Sequence, residues 1–211
     1  MTLAKICGLS TPETVQAALD GRAAYLGFMF VARSTRLVAP DAAARLAGPA
    51  RGKARIVAVV MDPSDALLDS LVAALKPDFI QLHGQEAPGR VRDIARRTGV
   101  GVIKVLSVAE ASDLDPAADY ELVADHLMLD AKVAGAALPG GQGVSFDWDL
   151  LAGQRFAKPW FLAGGLDPFN VSAAVSRSRA PIVDVSSGVE RGPGIKDPAL
   201  IAAFLDAVHR T

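Results

Sequence analysis

Short apolar, β-branched runs alternate along the chain with longer amphipathic or alanine-rich ones. The short runs occupy residues 3–7, 24–30, 54–61, 79–82, 102–106, 126–129, 160–163 and 182–185. Most lack polar alternation, as parallel strands covered on both faces do. The segments between them carry helix signals. Ser10-Thr11-Pro12-Glu13 offers an N-cap hydroxyl, a proline for the first turn and an early acid, for a helix to Asp20 with Gly21 as its stop. Leu67, Leu68, Leu71, Val72 and Leu75 share one face of a helix predicted over 64–75, and Pro77 follows it. Further helices are predicted over 89–98, over 170–178 with Asn170 as cap, and from Asp197-Pro198 to 209. The stretch 108–125 reads less clearly and predicts a short helix.

Eight strands and their helices within 211 residues predict a compact (β/α)8 barrel, one catalytic domain over 1–211. The rival is an open doubly wound sheet; eight strands favour closure, and no dinucleotide fingerprint follows the first strand. Pro139-Gly140-Gly141-Gln142-Gly143 reads as a long loop, not a domain boundary. Composition narrows function. Lys and Arg number 22, Asp and Glu 23, and the net charge is −1. No basic block stands out, so neither nucleic acid nor an anionic membrane is expected as partner. No apolar run approaches the ~18 residues that span a bilayer. The first residues predict no secretory signal. A single cysteine, Cys7, excludes an internal disulfide and a multi-cysteine metal site, and a reducing cytoplasm is the expected compartment.

In a barrel of this class, chemistry sits at the C-terminal ends of the strands. The first strand ends Lys5-Ile6-Cys7-Gly8, and period-two alternation puts Lys5 and Cys7 on one face. Gln81 and His83 likewise share a face, the sixth strand ends in Asp130, and the eighth carries Asp184. Each has a plainer reading. A lone cysteine is more often a small core hydrophobe, His83 fits a structural hydrogen bond equally well, Asp130 could cap a turn, and Asp184 could pair with a buried lysine. Lys5 tilts the balance for Cys7, because a cation on the same face favours the thiolate. Lys104, inside an apolar strand, is expected to point into the barrel as a paired charge. Gly164-Gly165 after the seventh strand and Ser186-Ser187-Gly188 after the eighth occupy the usual barrel phosphate position, where backbone N–H groups and hydroxyls can donate to phosphate oxygens. Arg36 would stand at the barrel mouth, where a guanidinium can grip a carboxylate at two points.

Several segments together resemble the phosphoribosylanthranilate isomerase family. They are Lys5-Ile6-Cys7-Gly8-Leu9, Gln81-Leu82-His83-Gly84, Leu129-Asp130, Gly141-Gln142-Gly143 with Phe146-Asp147-Trp148, Ala163-Gly164-Gly165-Leu166, Asp184-Val185-Ser186-Ser187-Gly188-Val189-Glu190 and Pro193-Gly194-Ile195-Lys196-Asp197. They run in order from residue 3 to about 205. The resemblance implies that Cys7 is a general base and Asp130 a general acid, and that Arg36 holds the anthranilate carboxylate. It puts the phosphate at Gly164, Gly165, Ser186, Ser187 and Gly188, with Lys5, Gln81, His83 and Asp184 on the substrate side. The implied reaction is a cofactor-free, metal-free Amadori rearrangement in tryptophan biosynthesis, acting on a small phosphorylated substrate as monomer or homodimer. Two positions depart from the family pattern: Thr35 stands where a proline is usual, and Gln142 where threonine is common. Competing readings are other phosphate-binding barrels of the same pathway, a histidine-pathway sugar isomerase with two aspartates, and a non-catalytic phosphosugar-binding barrel.

Overall fold

The structure, a computed structural model, describes residues 1–131, 148–151 and 153–211. Eight parallel strands close into a barrel in chain order: β1 (Leu3–Cys7), β2 (Tyr25–Met29), β3 (Arg55–Val60), β4 (Phe79–Leu82), β5 (Gly101–Val108), β6 (His126–Ala131), β7 (Phe161–Leu162) and β8 (Ile182–Val185). The open-sheet alternative is excluded because β8 returns to pair with β1, Leu3 opposite Ile182 and Ile6 opposite Val185. The helices are α1 (Pro12–Asp20), α2 (Pro40–Ala47), α3 (Asp65–Leu75), α4 (Pro88–Thr98), α5 (Ala117–Glu121), α6 (Val171–Ser178) and α7 (Pro198–His209). The glycine-rich loop expected around Gly141, Gln142 and Gly143, and the Phe146-Asp147 motif, lie outside the described residues.

Local chemistry explains most helix ends. Thr11, rather than Ser10, caps α1 by accepting from Thr14 N; Ser64 caps α3 through Leu67 N; Asp197 caps α7 through Ala199 N and Leu200 N. Asn170 does not cap α6 as expected. Its Oδ1 accepts from Asp167 N at 2.9 Å and its Nδ2 donates to Gly165 O at 2.8 Å, so it braces the loop after β7 instead. Helix α2, which the apolar pattern did not reveal, starts with Pro40 in its first turn and Asp41 next to it. A hairpin that was not anticipated, β9 (Glu190–Gly192) with β10 (Ile195–Lys196), follows β8.

Strand register and side-chain alternation stack the barrel interior in layers drawn from alternate strands. Tyr25, Phe79, His126 and Ile182 form the floor, where Tyr25 and Phe79 rings lie 6.0 Å apart and Phe79 and His126 5.3 Å. Above them lie Lys5, Val57, Ile103 and Phe161; then Gly27, Gln81, Met128 and Asp184; then Cys7, Val59, Val105 and Ala163. The upper layers are where polar groups gather. Gly27 is small of necessity, since a Cβ there would lie 3.1 Å from Cys7 Sγ and 3.2 Å from Lys5 Cε. The opposite strand faces bury Ile6, Leu26, Ile56, Ile80 and Val102 in the core beneath the helices.

Lys104 corrects an expectation. It alternates with the inward Ile103 and Val105, so it points outward to the helix layer. There its ammonium meets Glu86 at 2.8 Å and Gly84 O at 2.7 Å. It is a paired charge, but outside the barrel.

Candidate active site

The C-terminal ends of the strands enclose a cavity of about 370 Å³, a size suited to a small-molecule ligand. Cys7, Arg36, Gln81, His83, Asp130, Gly164, Gly165, Asp184, Ser186 and Ser187 line it. Two expected site residues do not. Lys5 lies one step of alternation below Cys7, fully buried, and acts on the cavity through Cys7 and through Asp184, whose Oδ1 accepts from its ammonium at 2.7 Å. Gly188 serves the packing of the two rim loops: a Cβ there would fall 1.9 Å from Leu166 O, in the loop after β7. Gly164, with φ +91, sits so close to Ala131 that a Cβ would fall 2.4 Å from Ala131 N. The glycines thus let the loop after β7 close on the end of β6 and on the loop after β8.

The remaining walls are set by strand parity and by partners distant in sequence. Asp130 is 4% exposed, and its Oδ2 lies 3.1 Å from His83 Nε2 without the alignment of a hydrogen bond. Gln81 donates to Met128 Sδ at 3.4 Å, and its Oε1 is buried with no partner among the described residues. Such an orphaned acceptor awaits a donor from a ligand. Arg36 stands at the cavity already paired with a carboxylate of the chain. Glu190 takes its Nε at 2.7 Å and its Nη2 at 2.8 Å, and also accepts from Lys196 Nζ at 2.5 Å. Lys196 in turn donates to Ser186 O at 2.9 Å.

The family model for N-(5′-phosphoribosyl)anthranilate (PRA) isomerase matches residues 4–207. The chain belongs to this family. The N-(5′-phosphoribosyl)anthranilate isomerase of Caulobacter vibrioides is 64% identical over 209 residues, 98% of this chain and 95% of its own length. The phosphoribosylanthranilate isomerase of Thermotoga maritima has a TM-score of 0.90 at 31% identity, covering 100% of both chains. A structure of the isomerase in complex with reduced 1-(o-carboxyphenylamino)-1-deoxyribulose 5-phosphate has a TM-score of 0.85 at 29% identity, again over 100% of both chains.

The ionisation of Cys7 runs against the sequence expectation. Burial pushes the thiol above its ordinary value; the Lys5 ammonium pulls it down, and the Asp184 carboxylate raises it again. The expectation weighed the field of Lys5 on the thiol but neither the thiol's burial nor the field of Asp184, which pairs with Lys5. Lys5 itself is raised: burial disfavours its charge, but Asp184 and Cys7 together prevail. Glu190 is lowered, since hydrogen bonds from Arg36 and Lys196 outweigh the burial that would raise it. Lys196 is lowered by its own burial, against the pull of Glu190. Glu190 and Lys196 were quoted in the family motifs yet not singled out as site residues. The available signal was two charges flanking a proline-glycine turn straight after a predicted phosphate loop.

Proposed function

We propose that this chain catalyses the Amadori rearrangement of N-(5-phosphoribosyl)anthranilate to 1-(2-carboxyphenylamino)-1-deoxyribulose 5-phosphate in tryptophan biosynthesis, with Asp130 as general acid and Cys7 as general base. The observation that carries this reading is that the only cysteine and a buried aspartate, from β1 and β6, line the same rim cavity. The glycine and serine loops after β7 and β8 line it too, where a sugar phosphate can meet backbone N–H groups and the Ser186 and Ser187 hydroxyls. Arg36 at the mouth suits the anthranilate carboxylate. Gln81 Oε1 and Asp184 suit sugar hydroxyls.

Asp130, protonated, gives its proton to the furanose ring oxygen. The bond between C1 and the ring oxygen breaks, and the lone pair of the anthranilate amino nitrogen forms the C1=N bond of a protonated Schiff base. Cys7, as thiolate, takes the proton from C2, and that electron pair forms the C1=C2 bond of an enolamine, which tautomerises to the ketone. Asp130 ends ionised and Cys7 protonated. The reactive and unreactive forms of the pair therefore hold the same number of protons, placed differently. Burial favours the protonated thiol, so the thiolate this step needs is disfavoured in the ligand-free protein.

The test is turnover followed by the fluorescence of the anthranilate group. Cys7→Ser and Asp130→Asn are each expected to lower kcat by about 10²–10⁴-fold, with affinity for the reduced product analogue held within about tenfold. A folded variant of either kind with near wild-type turnover overturns the assignment.

A further inference from the structure

Arg36, Glu190 and Lys196 form a chain of charges across the rim. The side chain of Arg36 is 15% exposed, that of Glu190 4% and that of Lys196 1%. Glu190 spends both carboxylate oxygens on the side edge of the guanidinium, the one bounded by Nε and Nη2. A guanidinium carries five N–H donors in a rigid plane. Two are taken here, so the end edge between Nη1 and Nη2 keeps one donor on each nitrogen for a second carboxylate. Glu190 also accepts from Gly194 N at 3.1 Å, which ties it to the turn of the β9–β10 hairpin.

Charge counting explains why a carboxylate can sit there. A lone Glu190 against Arg36 would cancel the attraction that a ligand carboxylate needs. Lys196, buried on the far side of Glu190, restores a net positive charge to the triad. The same ammonium donates to Ser186 O at 2.9 Å and Ser186 Oγ at 3.3 Å, on the loop assigned above to the phosphate. Two anion-binding points on opposite ends of a ligand are thereby tied through one buried carboxylate.

We propose that Glu190 is a positioning residue for carboxylate recognition: it fixes Arg36 with its end edge available to the substrate carboxylate and, through Lys196, holds that edge in a fixed relation to the phosphate loop. Holding a long side chain before the ligand arrives removes an ordering cost that binding would otherwise bear. The proposal rests on the assignment of Arg36 to the substrate carboxylate, and the experiment separates the two.

Two ligands are compared by fluorescence titration: reduced 1-(o-carboxyphenylamino)-1-deoxyribulose 5-phosphate, and its phenylamino counterpart lacking the carboxylate. The quantity read is the ratio of their dissociation constants. Arg36→Met is expected to collapse the wild-type preference for the carboxylated ligand. Glu190→Gln is expected to reduce that preference by about tenfold or more, the weight of a charge-assisted contact, while kcat at saturating substrate stays within about threefold. The double variant Glu190→Gln/Lys196→Met leaves no ammonium stranded, so a thermal midpoint near wild type verifies its fold, and the same loss of preference is expected. A Glu190→Gln protein that keeps the full preference overturns the proposal, as does equal weakening of both ligands, the signature of a merely structural part. If Arg36→Met keeps the preference, the assignment of Arg36 is what fails, and the role of Glu190 falls with it.

Discussion

Two lysines sit inside apolar strands of this barrel, each buried and each paired with a carboxylate, and they do different work. Lys5 on β1 points inward. It meets Asp184 from β8 at 2.7 Å, and the carboxylate in turn lines the cavity beside Cys7. Lys104 on β5 points outward. It is saturated by Glu86 at 2.8 Å and Gly84 O at 2.7 Å, and it stands 5.7 Å from the Tyr120 ring centroid. Glu86 also accepts from Asp62 N at 2.8 Å, so this second pair splices the loops after β3 and β4. One step of alternation along a strand thus decides whether a buried ammonium acts on the thiol proposed as the base or holds scaffold. The charge is the same; what differs is whether the partner carboxylate faces a ligand cavity or backbone.

The largest expected effects come from removing one member of each pair. Lys104→Met strands Glu86 away from water, and a broken buried pair costs about 3–5 kcal/mol. For a chain of this length that lowers the thermal midpoint on the order of 10 °C. Its kcat, measured well below that midpoint, should change little beside its stability. Lys5→Met should show the reverse emphasis. Asp184 keeps an edge on the cavity, so the stability loss is smaller, while kcat/KM falls by about tenfold or more as the cation that favours the thiolate disappears. Equal stability losses with equal activity in the two variants would erase the distinction.

The same contrast marks what the sequence could tell. All eight strands were legible because runs such as 24–30 and 160–163 are apolar on both faces, as a covered parallel sheet requires. That very uniformity hid the facing of Lys104: Val102, Ile103, Val105 and Leu106 around it give no polar alternation to read. At β1 the pair Lys5 and Cys7 marked a face by itself, and the rim residues followed from strand ends. Partners could be read at most in kind, as with the buried lysine suggested for Asp184, because they come from far along the chain. Asp184 lies 179 residues from Lys5, and Glu190 lies 154 from Arg36. The ionisation of Cys7 and the occupation of Arg36 therefore came out differently from a reading of neighbours alone. Helix α2 escaped notice because an alanine-rich segment has few large apolar residues to mark a face.

An intermediate effect sharpens the inner half of the comparison. The Cys7 thiol can be titrated by its ultraviolet thiolate absorbance. Lys5 lowers its pKa and Asp184 raises it, so Lys5→Met should move the titration to higher pH and Asp184→Asn to lower pH. Lys104→Met, whose charge acts on the far side of the sheet, should leave it in place. Movement in the same direction for Lys5→Met and Asp184→Asn would show that packing, not charge, sets the thiol.

The smallest expected effect is on stability at alkaline pH. Cys7 holds its proton more tightly in the folded chain than its ordinary value near 9.0 allows, chiefly because burial disfavours the thiolate. Lys5 is also raised above its ordinary value of 10.5, with burial opposing and Asp184 and Cys7 prevailing. For a raised pKa the unfolded chain gives up its proton first as pH increases, so the folded state binds more protons in that range and loses stability with rising pH. The contribution is fully present below the unfolded values and drains away through the folded ones. Urea unfolding should thus show a falling free energy from about pH 9 upward. Cys7→Ala removes the thiol's share of that slope and the part of the Lys5 shift that Cys7 supports, while the part that Asp184 supports, which begins higher, remains. Lys104→Met should lower the whole curve without changing the part that Cys7 contributes. A Cys7→Ala protein with the wild-type alkaline slope would mean that the thiol is not held protonated by the fold, and the bias against the thiolate would have to be abandoned.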